Sequence, residues 1–212
     1  MKWHEFLKKA GNLPVINVEV LLAGVADTRP VKVQISRWVK SGKLIQVKRG
    51  IYLLSKDYRK KDVFEPYLAS ILMSPSYISL EKALEYHGLI PESVPVYTSV
   101  TTKRPAKYVT KAGMFSYRCV KKPLFWGYGS VSVDRQTAFV AFPEKALLDL
   151  FYLNGMNISP AYLKELRLQN TEKIDTARFL AFAKRFKSRG IMTAAKRVVK
   201  YITKEAENQK TL

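Results

Sequence analysis

An α+β protein is predicted, on three observations. Amphipathic helical periods dominate the two ends of the chain, whereas runs of β-branched residues gather between about 96 and 142. A polar stretch, Ser55 to Asp62, shifts the composition and separates a small N-terminal region from the rest. The apolar fraction, 47% of 212 residues, suffices for packed cores.

The first region contains three helices and a hairpin. Trp3 to Ala10 places Trp3, Phe6, Leu7 and Ala10 on one face. Asn17 is suited to cap a second helix, Val18 to Ala23, which Gly24 ends. A third helix starts at Pro30, where the missing N–H costs nothing, and stops at Gly42. At 100° per residue, Val31, Ile35, Trp38 and Val39 fall on one side of it, and Lys32, Ser36, Arg37 and Lys40 on the other. Leu44 to Val47 and Ile51 to Leu54 then read as two strands joined by Lys48-Arg49-Gly50, where glycine tolerates the positive φ of a tight turn.

Helix, glycine and basic hairpin in that order form the layout of a winged helix-turn-helix, which makes double-stranded DNA the first partner to consider. An ordinary amphipathic helix with a solvated face would explain the cations of the helix alone. It does not explain why cations recur at the hairpin tip. In the DNA-binding reading the third helix enters the major groove, with Arg37 and Ser36 reading base edges. Lys32, Lys40, Lys48 and Arg49 then meet phosphates, which fix position without specifying sequence. The operator expected for such a domain is an inverted repeat, engaged by two copies.

Beyond Asp62, Phe64 to Met73 reads as a helix, and Ser79 is placed to cap another, Leu80 to His87, closed by Gly88. Val96 to Thr102 and parts of Met114 to Val120, Gly129 to Val133 and Thr137 to Phe142 suggest strands of a mostly antiparallel sheet. Pro143 opens a strong helix, Glu144 to Leu153, with Ala146, Leu147, Leu150 and Phe151 facing the core. Three further helical patterns follow, Pro160 to Leu168, Thr176 to Lys187 and Ile191 to about Glu205, with Gly190 expected to break the last two apart. The expected division is a winged helix-turn-helix domain over 1–56 and an α+β domain over 63–212, the latter comprising a core, 63–155, and a basic helical region, 156–212.

The formal charge of +20 attracts polyanions or an acidic protein. Its distribution is uneven. Residues 1–60 hold 13 basic and 4 acidic residues, 61–150 hold 11 and 8, and 151–212 hold 13 and 5. In the last helix Lys196, Arg197, Lys200 and Lys204 form a stripe opposite Ala195, Val198, Val199 and Ile202, either a solvated face or a second contact surface for nucleic acid or an acidic protein.

Little here suggests catalysis. His4 and His87 are the only histidines and lack zinc-ligand spacing; GxSxG, GxGxxG and GxxxxGK[ST] patterns are missing. No metal and no cofactor is expected. Asp134, Glu144 and Lys145 are the one set reminiscent of a magnesium-dependent nuclease, but Glu144 and Lys145 are adjacent where such enzymes place a residue between them. Glu144 is more simply a first-turn acid favoured by the helix dipole, and Lys145 and Asp149, four apart, suit a pair along one helix. Cys119 stands alone in an apolar-polar alternation and reads as a small buried hydrophobe. With one cysteine, no signal peptide and no apolar run of eighteen residues, a cytoplasmic protein with no membrane partner is expected.

The segments SYISLEKALEYHGLIP (Ser76 to Pro91), TTKRP (Thr101 to Pro105), GMFSYR (Gly113 to Arg118) and AFPEKALLDLFY (Ala141 to Tyr152), with RGIYLL (Arg49 to Leu54) upstream, resemble the AbiEi-type antitoxin family of type IV toxin-antitoxin systems. The resemblance covers roughly residues 5 to 155; the last sixty match only in length and basic helical character. It implies a winged-helix repressor of its own operon whose C-terminal region neutralises a toxin of nucleotidyltransferase fold, and makes 63–212 an antitoxin-type domain. It also admits a solitary regulator without a toxin. An RNA-binding protein is a further alternative that basicity alone leaves open.

Overall fold

A computed structural model describes residues 1–155 and 158–210, with side chains through Lys204. Nine α-helices and two sheets are present among these residues, giving the expected α+β class.

The first sheet is small and local. Helix α1 (Trp3–Ala10), strand β1 (Ile16–Asn17), helices α2 (Val18–Leu21) and α3 (Arg29–Lys40), and strands β2 (Leu44–Lys48) and β3 (Ile51–Leu54) follow one another. The sheet order is β1-β3-β2, all antiparallel. Asn17 caps α2 as expected, accepting from the amides of Glu19 and Val20. Helix α3 ends in a Schellman arrangement: the Lys43 amide donates to Trp38 O (2.9 Å), the Gly42 amide to Val39 O (3.1 Å), and Gly42 takes φ +74°. Buried against these elements are Phe6, Ala10, Ile16, Val31, Ile35, Trp38, Leu44 and Leu54. Trp3, Phe6, Trp38 and Tyr58 form an aromatic cluster with ring centroids 4.9–5.7 Å apart.

The second sheet has six strands: β4 (Ser76–Ile78), β5 (Val96–Thr101), β6 (Ala106–Thr110), β7 (Gly113–Cys119), β8 (Tyr128–Val133) and β9 (Gln136–Ala141). Their order is β6-β7-β5-β4-β9-β8. The β4-β5, β6-β7 and β8-β9 pairs are antiparallel, whereas β5-β7 and β4-β9 are parallel. Two strands and both parallel pairings escape the sequence pattern. β4 has only three residues, and its buried Ser76, Tyr77 and Ile78 show no alternation. β6, an edge strand, alternates partly covered and exposed positions and includes Lys107.

Helices α4 (Glu65–Leu72), α5 (Leu80–Tyr86) and α6 (Pro143–Leu153) pack with this sheet, and α7 (Pro160–Glu165), α8 (Thr176–Arg185) and α9 (Arg189–Lys210) complete the helical layer. The break between α8 and α9 lies at Phe186–Ser188, not at Gly190. Lys187 takes φ +51°, which ends α8, while Gly190 sits in the first turn of α9. Cys119, expected inside, is exposed. The alternation that buries Phe115 and Tyr117 stops short of it, because Cys119 is the last residue of β7.

The hairpin β2-β3 has two buried faces. Leu44 and Leu54 join the core of α1 and α3, whereas Val47 and Leu53 join the larger core that includes Leu68, Leu72 and Tyr117. It is a wall shared by both cores. No described helix is long and apolar enough to cross a membrane.

Candidate nucleic-acid interface

Helix α3 is oriented by its apolar side. Val31, Ile35 and Trp38 are buried and Val39 is half-buried, each of the large ones worth about 1.5–3 kcal/mol in removal from water. Their spacing leaves Lys32, Val33, Ser36, Arg37 and Lys40 exposed on the opposite face, where none of the four polar side chains has an acidic partner among the described residues. Two cationic ends and a central Arg-Ser pair are thus presented on one helix. Asp27, which sequence reasoning passed over, fixes the approach to α3: its carboxylate accepts from the Arg29 amide (3.0 Å) and Nε (3.0 Å). An Asp two residues before Arg-Pro was the available signal. Val33, 52% exposed, was also passed over because it falls among the cations.

At the hairpin tip Arg49 is exposed and Gly50 takes φ +81°. Lys48 behaves differently. Its Nζ donates to Leu72 O at 2.9 Å, at the end of α4, and stands 5.5 Å from the centre of the Tyr108 ring. A phosphate at Lys48 would have to compete with an intramolecular hydrogen bond that joins the wing to the larger unit.

The carboxyl-terminal stripe lies on α9. Lys196, Lys200 and Lys204 are exposed, and Arg197 donates from Nη1 to Ile158 O (2.9 Å). All four cations are therefore exposed, and Arg197 also ties α9 to the segment before α7.

The three residues considered for metal-dependent hydrolysis do not come together. Asp134 and Arg135, at φ +47° and +65°, form the two-residue turn between β8 and β9. Glu144 follows the far end of β9, about 20 Å away at roughly 3.3 Å per residue. Glu144 is fully buried, and its Oε1 accepts from the Asp175 amide (2.9 Å) and Arg178 Nη2 (2.8 Å). It anchors the start of α8 to the start of α6.

Lys145 and Asp149 pair along α6 as expected, but both are fully buried. Lys145 Nζ also donates to the Tyr77 hydroxyl (2.8 Å), and Asp149 Oδ2 accepts from Tyr77 (2.9 Å) and from Ser79 Oγ (2.8 Å). Ser79, expected to cap α5, makes no capping bond because its hydroxyl is drawn into this cluster; the Lys82 amide is met by Thr98 Oγ1 instead. Trp126 and Phe186 face the ammonium at 5.1 and 5.2 Å. Burial pulls the Lys145 ammonium down and pushes the Asp149 carboxyl up, with each partner opposing the other's shift. Enclosed and mutually hydrogen-bonded, the cluster holds α6 on the sheet.

Comparison with known families gives one match. Residues 17–55, from the cap of α2 to the end of the wing, match a family model described as transcriptional regulator, AbiEi antitoxin. The match contains RGIYLL and the exposed face of α3, but not the segments between Ser76 and Tyr152 that also resemble this family. Over that stretch the chain is similar to a family of transcriptional regulators. No curated protein matches the chain.

Proposed function

We propose that the protein is a sequence-specific DNA-binding repressor that also acts as the antitoxin of a nucleotidyltransferase-like toxin. The observation that carries the DNA-binding part is the outward face of α3, with Lys32, Ser36, Arg37 and Lys40 exposed over a buried Val31-Ile35-Trp38 side. Arg37 and Ser36 read base edges, and Lys32, Lys40 and Arg49 hold phosphates. Lys48 serves the same backbone only by giving up its bond to Leu72. The operator is an inverted repeat bound by two copies, one per half-site.

The antitoxin part rests on the family match at 17–55 together with the stripe Lys196, Arg197, Lys200 and Lys204 on α9, which would contact the toxin or the nucleic acid that the toxin modifies. In this reading 1–56 forms the DNA-binding domain and 63–212 the antitoxin-type domain, in a protein that works in the cytoplasm.

Titration of the DNA preceding the gene tests the first part. Arg37→Ala is expected to weaken specific binding by about 1–3 kcal/mol, with discrimination lost at one base position. Operator binding as tight and selective as the parent's would remove α3 from the interface. For the second part, charge reversal at Lys196, Lys200 and Lys204 should release toxicity in cells carrying the neighbouring gene while repression persists; loss of repression with neutralisation intact would assign the stripe to DNA. A gene neighbourhood without a nucleotidyltransferase-like frame leaves a solitary regulator.

A further inference from the structure

A cleft of about 640 Å³ opens between the segment after β7 and the junction of α8 with α9. Its lining combines the cations Lys121, Arg185 and Lys187 with the apolar or aromatic Leu124, Tyr152 and Phe186. No acidic residue lines it. Among the described residues none of the three cations has an acidic partner, in contrast with Lys82, Lys145, Arg167 and Arg178.

The cationic part is built. The Arg185 guanidinium lies 3.7 Å from the centre of the Trp126 ring, and its N–H groups make no hydrogen bond among the described residues. The indole is itself fixed, donating from Nε1 to Pro123 O (3.0 Å) and packing against Phe182 and Phe186. Lys187 is placed by its left-handed backbone, φ +51°, at the corner where α8 ends. A planar fork held on an aromatic face, with two flexible ammonium groups beside it, is the donor set that a chain of phosphates requires. The apolar part of the lining exceeds what inorganic phosphate needs, and the volume falls in the range of small-molecule sites, about 300–1,000 Å³.

We propose that this cleft binds a nucleoside polyphosphate, its phosphates on Lys121, Arg185 and Lys187 and its base against Leu124, Tyr152 and Phe186. The protein then carries a site for a small phosphorylated effector, separate from the α3 face. Phosphate is also the chemistry of a nucleic-acid backbone, and the test separates the two sources.

Titration calorimetry of the full chain with ATP or GTP, adenosine, tripolyphosphate and a short single-stranded oligonucleotide is the direct measurement. A nucleoside triphosphate is expected to saturate one site and to bind about tenfold or more tightly than either adenosine or tripolyphosphate, because each supplies only half of the contacts. Lys121→Gln combined with Lys187→Asn should weaken the nucleotide by about tenfold while thermal stability and operator affinity stay at the parent's values. Asn suits the left-handed position at 187, and neither residue packs in a core. Absence of saturable nucleotide binding, or unchanged affinity in the double variant, overturns the proposal. So does preferential binding of the oligonucleotide accompanied by loss of operator affinity in that variant, which makes the cleft a backbone contact.

Discussion

The two cores solve opposite problems. The core around α1 and α3 is entirely apolar, centred on Phe6, Ile35 and Trp38, so every charge of α3 is left outside. The core around α6 encloses Glu144, Lys145 and Asp149 with no exposure at all. In the first, charge is a surface property and available to a partner; in the second it is a packing element, paired within the fold. The same residue types therefore mean different things on two helices of similar length. The deciding factor is whether the helix has one covered face or several.

Breaking the buried pair should have the largest effect. Lys145→Met leaves Asp149 uncompensated in an apolar enclosure and is expected to cost about 3–5 kcal/mol, read from urea denaturation, whereas Lys145→Met with Asp149→Leu should recover most of that loss. If the double variant is as unstable as the single one, the charges are not what the enclosure is built around. Gly127→Ala probes the same site from its wall. Gly127 takes φ +80°, and a Cβ there would stand 2.9 Å from Lys145 Cγ, so a loss of about 1–3 kcal/mol is expected. A neutral outcome would mean that the Lys145 stem gives way freely.

Lys48 sharpens the contrast, since it belongs to the wing but bonds to the larger unit. Lys48→Ala should lower stability by about 1 kcal/mol and leave the salt dependence of operator binding unchanged. A salt slope reduced by about one with stability intact would return Lys48 to the DNA. The smallest effect is a pH dependence. Burial holds the half-buried His87 imidazole below its ordinary 6.5, against an opposing hydrogen bond to Ala141 O. The unfolded chain therefore takes up this proton more readily, and stability should decline as pH falls below about 6.5. His87→Gln should flatten that decline in melting temperature; an unchanged slope would place the proton elsewhere.

The legibility of the sequence follows the same division. Asn17, Pro30, Gly42 and Gly50 have local roles, so caps, helix end and turn were readable from neighbours within a few residues. Ser79 was not, because its partner Asp149 lies 70 positions away, and local capping chemistry was the better guess from sequence alone. Strand β4 was hidden for a similar reason: all three of its residues are buried, and its neighbour β9 is the last strand of the sheet to appear along the chain. The α3 face was readable because periodicity sorts exposed from buried. The bond from Lys48 to Leu72 and the cleft beside Arg185 depend on long-range packing and left no pattern in the chain.

The strand pairings also set an order in time. All three strands of the first sheet lie between Ile16 and Leu54, so its pairings need no residue made later in the chain. The second sheet has to wait: β4 meets β9 only through Ile78 and Val140, and the α6 charges that settle beside Tyr77 are synthesised later still. During that interval Val47 and Leu53 on the wing have no core to enter. One face of the wing hairpin, that of Val47 and Leu53, thus stays uncovered until the elements that bury it have been made.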